Sequence, residues 1–338
     1  MIITYRFRIK DSSRKTKLKR LAGTTNFVWN YLNATSRFAW KRDRKWLSEF
    51  DLNYLLIGAS RELGLHSDSV SSISAEFTSR RKKAKRSGLS WRSAKRKLGW
   101  VPFKGRAIKV QGDEVTFQKT KYRFWKSREI EGVIKTGSFN QNSKGQWFVN
   151  FQCEVPQAEQ SKSNSSVGVD LGLKTLATLS DGSKIENPKT LQKYADKLAK
   201  AQRARKTRQV ASIQNKIKNV RKDFLHKEST KLVNKFGNIL VGDVSSTKLV
   251  KTKMAKSVLD AGWGMFKVML EYKAKRLGVT FSVVPEKYSS VTCSICLERS
   301  GPSGLSNLGV REWLCVSCGV VHDRDINAAQ NILLGLGR

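Results

Sequence analysis

Two groups of residues in the carboxy-terminal half have the types and spacing that chemistry needs. Cys293-Ser294-Ile295-Cys296 and Cys315-Val316-Ser317-Cys318 are CxxC pairs separated by eighteen residues. Two residues between cysteines let a tight turn aim both sulfurs inward, so four thiolates can close a tetrahedron around one Zn²⁺. Four protein ligands leave that ion no open position, which makes it structural. Seven positions after Cys318 comes Asp325, in the run Asp323-Arg324-Asp325-Ile326-Asn327-Ala328-Ala329. A second acid, Asp170, interrupts the apolar run Val167-Gly168-Val169-Asp170-Leu171-Gly172. A carboxylate there is costly to bury unless it is paired, hydrogen-bonded or bound to a cation. Carboxylates converging from distant positions hold Mg²⁺, one ion activating water and another stabilising the leaving oxygen of a phosphodiester.

The segments around these acids have to bring them together. Residues 167–171, 174–179 and 184–185 read as three meandering strands with the turn Ser180-Asp181-Gly182, and Asp170 faces out of the sheet. Residues 189–236 are helical and dense in cations, among them Lys200, Arg203, Arg208, Lys216 and Arg221, as suits a helix pair lying along a duplex backbone. After Gly237, residues 238–244 read as a buried strand. Residues 255–277 follow as one amphipathic helix with Leu259, Trp263, Phe266 and Leu270 on one face. Residues 279–284 give a strand that ends in Pro285-Glu286-Lys287-Tyr288, and a helix runs from Asp325. With the cysteine ribbon taken as an insertion, this order is RNase H-like. Its first and fourth strands are neighbours, so acids from distant sequence positions can converge, and Asp170 and Asp325 are the ones expected to hold the metal.

The amino-terminal half supplies charge and aromatic surface. Lys and Arg number 65 against 27 acids in 338 residues, a net charge of +38 that only a polyanion neutralises well, and nucleic acid is the natural one. Residues 2–10 alternate, with Ile3, Tyr5, Phe7 and Ile9 on one side. Asp11-Ser12-Ser13 offers a cap to a helix carrying Leu18, Leu21, Thr25, Val28 and Leu32. Helices are expected over 47–63 and 69–86, the latter ending in Arg80-Arg81-Lys82-Lys83-Ala84-Lys85-Arg86, with phosphate contact and a merely solvated face as the two readings. From Ser90 to Pro156 strands predominate and predict a small antiparallel barrel joined to the first strand. Trp91, Trp100, Phe103, Tyr122, Phe124 and Trp125 lie among cations, half expected to stack on bases and half to fill the core. Cys153 is expected in the core. No apolar run reaches the ~20 residues of a membrane span and no leader precedes Ile2, so a cytoplasmic, unexported protein with no membrane partner is expected.

The residues Gly168-Val169-Asp170-Leu171-Gly172, the paired CxxC motifs and the run from Asp323 to Ile332 resemble TnpB, the insertion-sequence-encoded relative of type V CRISPR effectors. The match is close over residues 167–335, and the first half fits in its order of strand, helices and barrel. The resemblance implies a prokaryotic RNA-guided DNA endonuclease. It implies a split RuvC-like domain, a guide RNA from the transposon end, and target double-stranded DNA read next to a short adjacent motif. The fold class expected is α+β multidomain. A small β-barrel spans 1–10 and 90–156 with helices inserted at 11–89, and 157–166 is a linker. A RuvC-like α/β domain takes 167–287 and 321–338, with a zinc ribbon inserted at 288–320. By similarity Asp170 and Asp325 are the first and last RuvC acids, while Asp323 caps the final helix.

One departure from the family bears on the site. Its fourth strand usually ends in a catalytic Glu followed by Asp, and here the pair is Gly242-Asp243. Glu286, just past the fifth strand, is favoured to complete the pair of Mg²⁺ sites. Asp243 is the alternative, although a one-residue step in a strand reverses side-chain direction. A nuclease-inactive RNA-guided repressor and a strand-transfer transposase are the other readings, and a monomer is favoured over an oligomer.

Overall fold

The computed structural model describes residues 1–10, 14–95, 97–156, 164–244, 255–304 and 306–335 of the chain. They fall into two compact units, Met1–Pro156 and Gln157–Arg338.

The first unit comprises β1 (Ile2–Arg8), α1 (Lys15–Asp43), α2 (Glu49–Tyr54), α3 (Ala59–Glu62), α4 (Ser67–Ala84), β2 (Trp100–Lys104), β3 (Ile108–Gln111), β4 (Glu114–Phe117), β5 (Thr120–Arg123), β6 (Val133–Gln141) and β7 (Trp147–Glu154). The alternation of β1 buries Tyr5, Phe7 and Ile9 while the strand pairs antiparallel with β7. Phe7, Phe103, Phe124, Phe139 and Phe151 pack as a ring-on-ring core, with centroids 5.2 Å apart for Phe7–Phe124 and 5.3 Å for Phe103–Phe139. Cys153 is buried there too.

The expected barrel does not close among the described residues. The strands form a four-stranded sheet, β1-β7-β6-β2, and a separate three-stranded sheet, β3-β4-β5. A single bridge between Ile9 and Phe124 links them. Short strands and an edge strand containing Pro102, which has no N–H to donate, leave the circuit open. α1 buries Leu18, Leu21, Thr25, Val28 and Leu32 as their spacing requires, and ends where Arg44 turns left-handed (φ 51°). The cap expected at Asp11-Ser12-Ser13 lies outside the described residues. Within the basic run, Arg81 is a buried structural cation that donates to Ser36 Oγ and the Leu47 carbonyl. Of the aromatics set among cations, Phe103, Tyr122 and Phe124 are core, whereas Trp91 and Trp125 are exposed.

The second unit comprises β8 (Ser166–Leu171), β9 (Thr175–Leu179), β10 (Lys184–Glu186), α5 (Thr190–Arg203), α6 (Thr207–Lys235), β11 (Asn238–Gly242), α7 (Ala255–Ala261), α8 (Trp263–Leu277), β12 (Thr280–Val284), β13 (Glu312–Leu314), β14 (Val321–Asp323) and α9 (Arg324–Leu334). Its central sheet has the order β10-β9-β8-β11-β12. β8 is antiparallel to β9 but parallel to β11, which is parallel to β12. Val167 and Val169 of β8 and Ile239 and Val241 of β11, alternate residues of neighbouring strands, form one buried face of the sheet. The helix expected over 255–277 is two helices. Gly262 at φ +71° breaks the phase, and Leu259, expected on the core face, is 58% exposed.

α9 lies against β8 so closely that a Cβ at Gly168 would stand 2.0 Å from the Ala329 carbonyl oxygen. Only glycine permits that approach. Much of the expected linker, residues 157–163, lies outside the described residues, and Ser166 already belongs to β8. Among the described residues no helix is long and apolar enough to cross a membrane.

Candidate active site and cysteine cluster

The direction of each acid follows from strand parity. Gly168 faces α9, so Asp170, two residues along β8, faces it as well. β11 runs parallel beside β8 with Val241 opposite Val169, which sets Gly242 next to Asp170 on the same face. A Cβ at Gly242 would meet Glu286 Oε2 at 2.9 Å and Ile332 Cδ1 of α9 at 3.0 Å. The carboxylate of Glu286 therefore occupies the space that a side chain at position 242 would take. α9 brings Asp325 to this face in its first turn, and Asp323 caps that turn, its Oδ1 accepting from the Asp325 and Ile326 amides at 2.9 and 3.1 Å. Lys184 donates to the other Asp323 oxygen at 2.8 Å.

Burial, reinforced by the negative charges of Glu286 and Asp325, lifts the Asp170 carboxyl to about 7. Burial also raises Glu286, against the opposing pull of Lys267 and with a smaller push from the charge of Asp243. Buried like charges that bear on one another create a demand for a cation. Asp243 bears on Glu286 through its charge alone. Its side chain is 65% exposed and accepts from Lys267 Nζ of α8 at 3.2 Å, the reversal expected of a one-residue step. Thus Glu286 and Asp325 both lie near enough to Asp170 for their charges to bear on it, while the Asp243 side chain turns toward Lys267.

Two cations at this site drew no attention in the sequence. Lys267 Nζ lies between the Asp243 carboxylate and, at 3.5 Å, the Gly242 carbonyl. Arg311, on the ribbon, places Nη1 3.2 and 3.3 Å from the two oxygens of Asp325. Its carbonyl accepts from the Arg324 amide at 2.7 Å, which fixes it beside the start of α9. Among 65 Lys and Arg residues, composition gives neither prominence.

The four cysteines gather with their sulfurs all within 4.8 Å of one another. Cys293–Cys318 and Cys296–Cys315 are 3.7 and 3.5 Å apart, close to the edge of about 3.8 Å in a tetrahedron with Zn–S bonds of about 2.3 Å. The donor set and its spacing fit a structural metal such as zinc. Ser300 Oγ lies 3.1 Å from the Cys315 sulfur. His322, also absent from the sequence reading, is buried with Nε2 3.0 Å from Cys293 Sγ and its ring 4.8 Å from that of Trp313. The knuckle is tied to α9. Asn327 and Asn331 donate to the Ser289 and Thr292 carbonyls at 2.6–3.2 Å, and Asn327 Oδ1 accepts from the Ser294 amide at 2.9 Å.

Comparison with known proteins places these features in a family. Residues 150–253 match the family model "Probable transposase" of the OrfB/IS605 type, and residues 263–332 match "Cas12f1-like, TNB domain". A Streptomyces pristinaespiralis protein named "Putative RNA-guided DNA endonuclease" is 31% identical over 360 residues, covering 97% of this chain and 87% of its own. The Escherichia coli K12 protein InsQ, of the same description, is 30% identical over 62% of this chain and 59% of its own. The solved structure of Cas12f1 in complex with sgRNA and target DNA shares the mixed α/β fold. Its TM-score is 0.62 at 15% identity, over 93% of this chain and 81% of the other.

Proposed function

The chain belongs to the TnpB family of RNA-guided DNA endonucleases, and from that premise we propose that Asp170, Glu286 and Asp325 form its phosphodiester-hydrolysing centre. The observation that carries this reading is the approach of three acids from β8, the end of β12 and α9 to one sheet face, where burial and mutual repulsion raise Asp170. The sheet order supports a RuvC-like domain.

Hard, partly buried carboxylate oxygens suit Mg²⁺, and Asp170, Glu286 and Asp325 would hold it. When bound, Mg²⁺ supplies an activated water and a counter-charge for the leaving oxygen. Glu286 stands in for the family's fourth-strand glutamate by filling the space above Gly242. Lys267 supports the ionised form of Glu286, and Arg311 sets a positive charge at the Asp325 edge, where a phosphate would lie. The cysteine ribbon, with Zn²⁺ as its metal, holds α9 and hence Asp325 in place. A guide RNA from the transposon end neutralises much of the +38 charge. Pairing between guide and target then reads the sequence after the first unit has engaged a short duplex motif.

The test loads the protein with RNA expressed from its own locus and offers a matched DNA library in Mg²⁺, beside Asp170→Ala and Glu286→Ala. Cleavage by the unmodified complex that both substitutions abolish is the expected result. Cleavage that survives Glu286→Ala would return the third role to Asp243, and guide-dependent binding without any cleavage would favour a repressor.

A further inference from the structure

Just beyond Glu286 the chain does something that its own folding does not require. Tyr288 adopts a left-handed backbone, φ 65°, a conformation that costs a bulky residue and is ordinarily left to glycine. Burial does not offset that cost, because Tyr288 is 44% exposed. The conformation is held from below. The Tyr288 carbonyl accepts from the Val291 and Thr292 amides at 3.1 and 3.0 Å. The Ser289 amide donates to the Glu286 carbonyl at 3.1 Å, and the Ser289 carbonyl accepts from Asn331 of α9 at 2.7 Å. The helix that carries Asp325 thus also fixes the turn that presents the ring.

Two cations converge on the ring. The Arg299 guanidinium lies 4.1 Å from its centroid and Lys287 Nζ 4.8 Å. Among the described residues neither cation forms an ion pair with a carboxylate, so two like charges are gathered at an exposed aromatic face. A ring backed by a guanidinium and an ammonium suits an unpaired nucleotide, whose base stacks on the ring or the guanidinium plane while its phosphates meet the cations.

We propose that Tyr288, Arg299 and Lys287 form a stacking subsite for one unpaired nucleotide of the DNA strand being cut, two residues along the chain from Glu286. The subsite rests on the nuclease reading above. It adds the element that reading lacks, a means of fixing the flexible single strand so that a phosphodiester stays at the acids. Backbone strain kept at a substrate-binding turn is where strain is commonly retained.

The experiment uses the guide-loaded protein and target DNA carrying a single abasic residue moved stepwise along the cut strand, with single-turnover rates measured for the unmodified protein, Tyr288→Leu and Arg299→Ala. For the unmodified protein, one abasic position near the scissile bond slows cleavage about tenfold, as loss of one stacked base should. Tyr288→Leu is slow on intact DNA by a similar factor and insensitive at that position, and Tyr288→Phe, which keeps the ring, recovers the sensitivity. 2-Aminopurine at the same position is quenched on binding to the unmodified protein and not to Tyr288→Leu. Equal sensitivity of Tyr288→Leu and the unmodified protein at every abasic position overturns the proposal. If Tyr288→Leu fails to fold, Arg299→Ala and the scan on the unmodified protein decide, and a scan with no sensitive position overturns it equally. A complex that binds DNA without cutting removes the nuclease reading, while the fluorescence comparison still decides the subsite.

Discussion

Glu286 and Asp243 separate at the level of single side chains. Glu286→Gln is expected to lower single-turnover cleavage about 100-fold or more, whereas Asp243→Asn, pointing toward α8, stays within about threefold. A loss of equal size in both variants would undo the assignment. Asp170 also links activity to stability. Its folded pKa, about 7, lies above the unfolded value near 3.8, so the folded state keeps a proton that the unfolded state releases. Stability of the metal-free protein therefore falls as pH rises from about 4 to 7 and stays low above that range. Asp170→Asn removes the penalty and is expected to stabilise the metal-free protein at pH 8 by about 1 to 3 kcal/mol while abolishing cleavage. Denaturant titrations at pH 5 and pH 8 measure this, and a gain that is larger at pH 5 would contradict it.

At the scale of elements, α9 is the member on which the site depends. It packs on β8 through Gly168, carries Asp325, and holds the ribbon turn through Asn327 and Asn331. Gly168→Ala forces a Cβ against the Ala329 carbonyl, so α9 must move. About 1 to 3 kcal/mol of stability and at least tenfold in cleavage should be lost together. Cleavage unchanged in a destabilised Gly168→Ala protein would show that Asp325 tolerates displacement. The cysteine cluster acts through the same helix. Chelation of its metal, or Cys315→Ser, should lower the thermal transition of the second unit before any chemical step is affected. Calorimetry before and after chelation tests this, and an unchanged transition would remove the structural role. His322 beside Cys293 adds a buried partner to that cluster, of the kind that orients ligands.

Charge dominates at the scale of the whole molecule. With +38 over 338 residues, affinity for guide RNA should fall by roughly 10³ to 10⁵ between 50 and 200 mM salt, the range for six to ten neutralised phosphates. Filter binding across that range measures the slope, and a nearly flat response would mean that contacts other than phosphate neutralisation hold the RNA. Not all of the charge is available for this purpose. Arg81 is spent inside the first unit on Ser36 and Leu47, and Arg106 is spent on the buried carboxylate of Asp68, at 2.6 and 2.8 Å.

The sequence alone determined whatever rests on local spacing. The cysteine pairs, the alternation of β1, the meander from Val167 to Ile185 and the order of elements in the second unit all depend on residues a few positions apart, where chain geometry leaves little freedom. Tertiary structure decided what depends on the meeting of distant segments. Among the described residues the strands of the first unit divide into two open sheets instead of a closed barrel, a matter of pairing partners that alternation does not encode. Gly262 divides a helix whose hydrophobic pattern read as continuous. The turn of Asp243 toward Lys267, the seating of Glu286 over Gly242 and the reach of Arg311 to Asp325 arise because neighbouring strands and an inserted ribbon set side chains face to face. No spacing within one segment can specify those meetings.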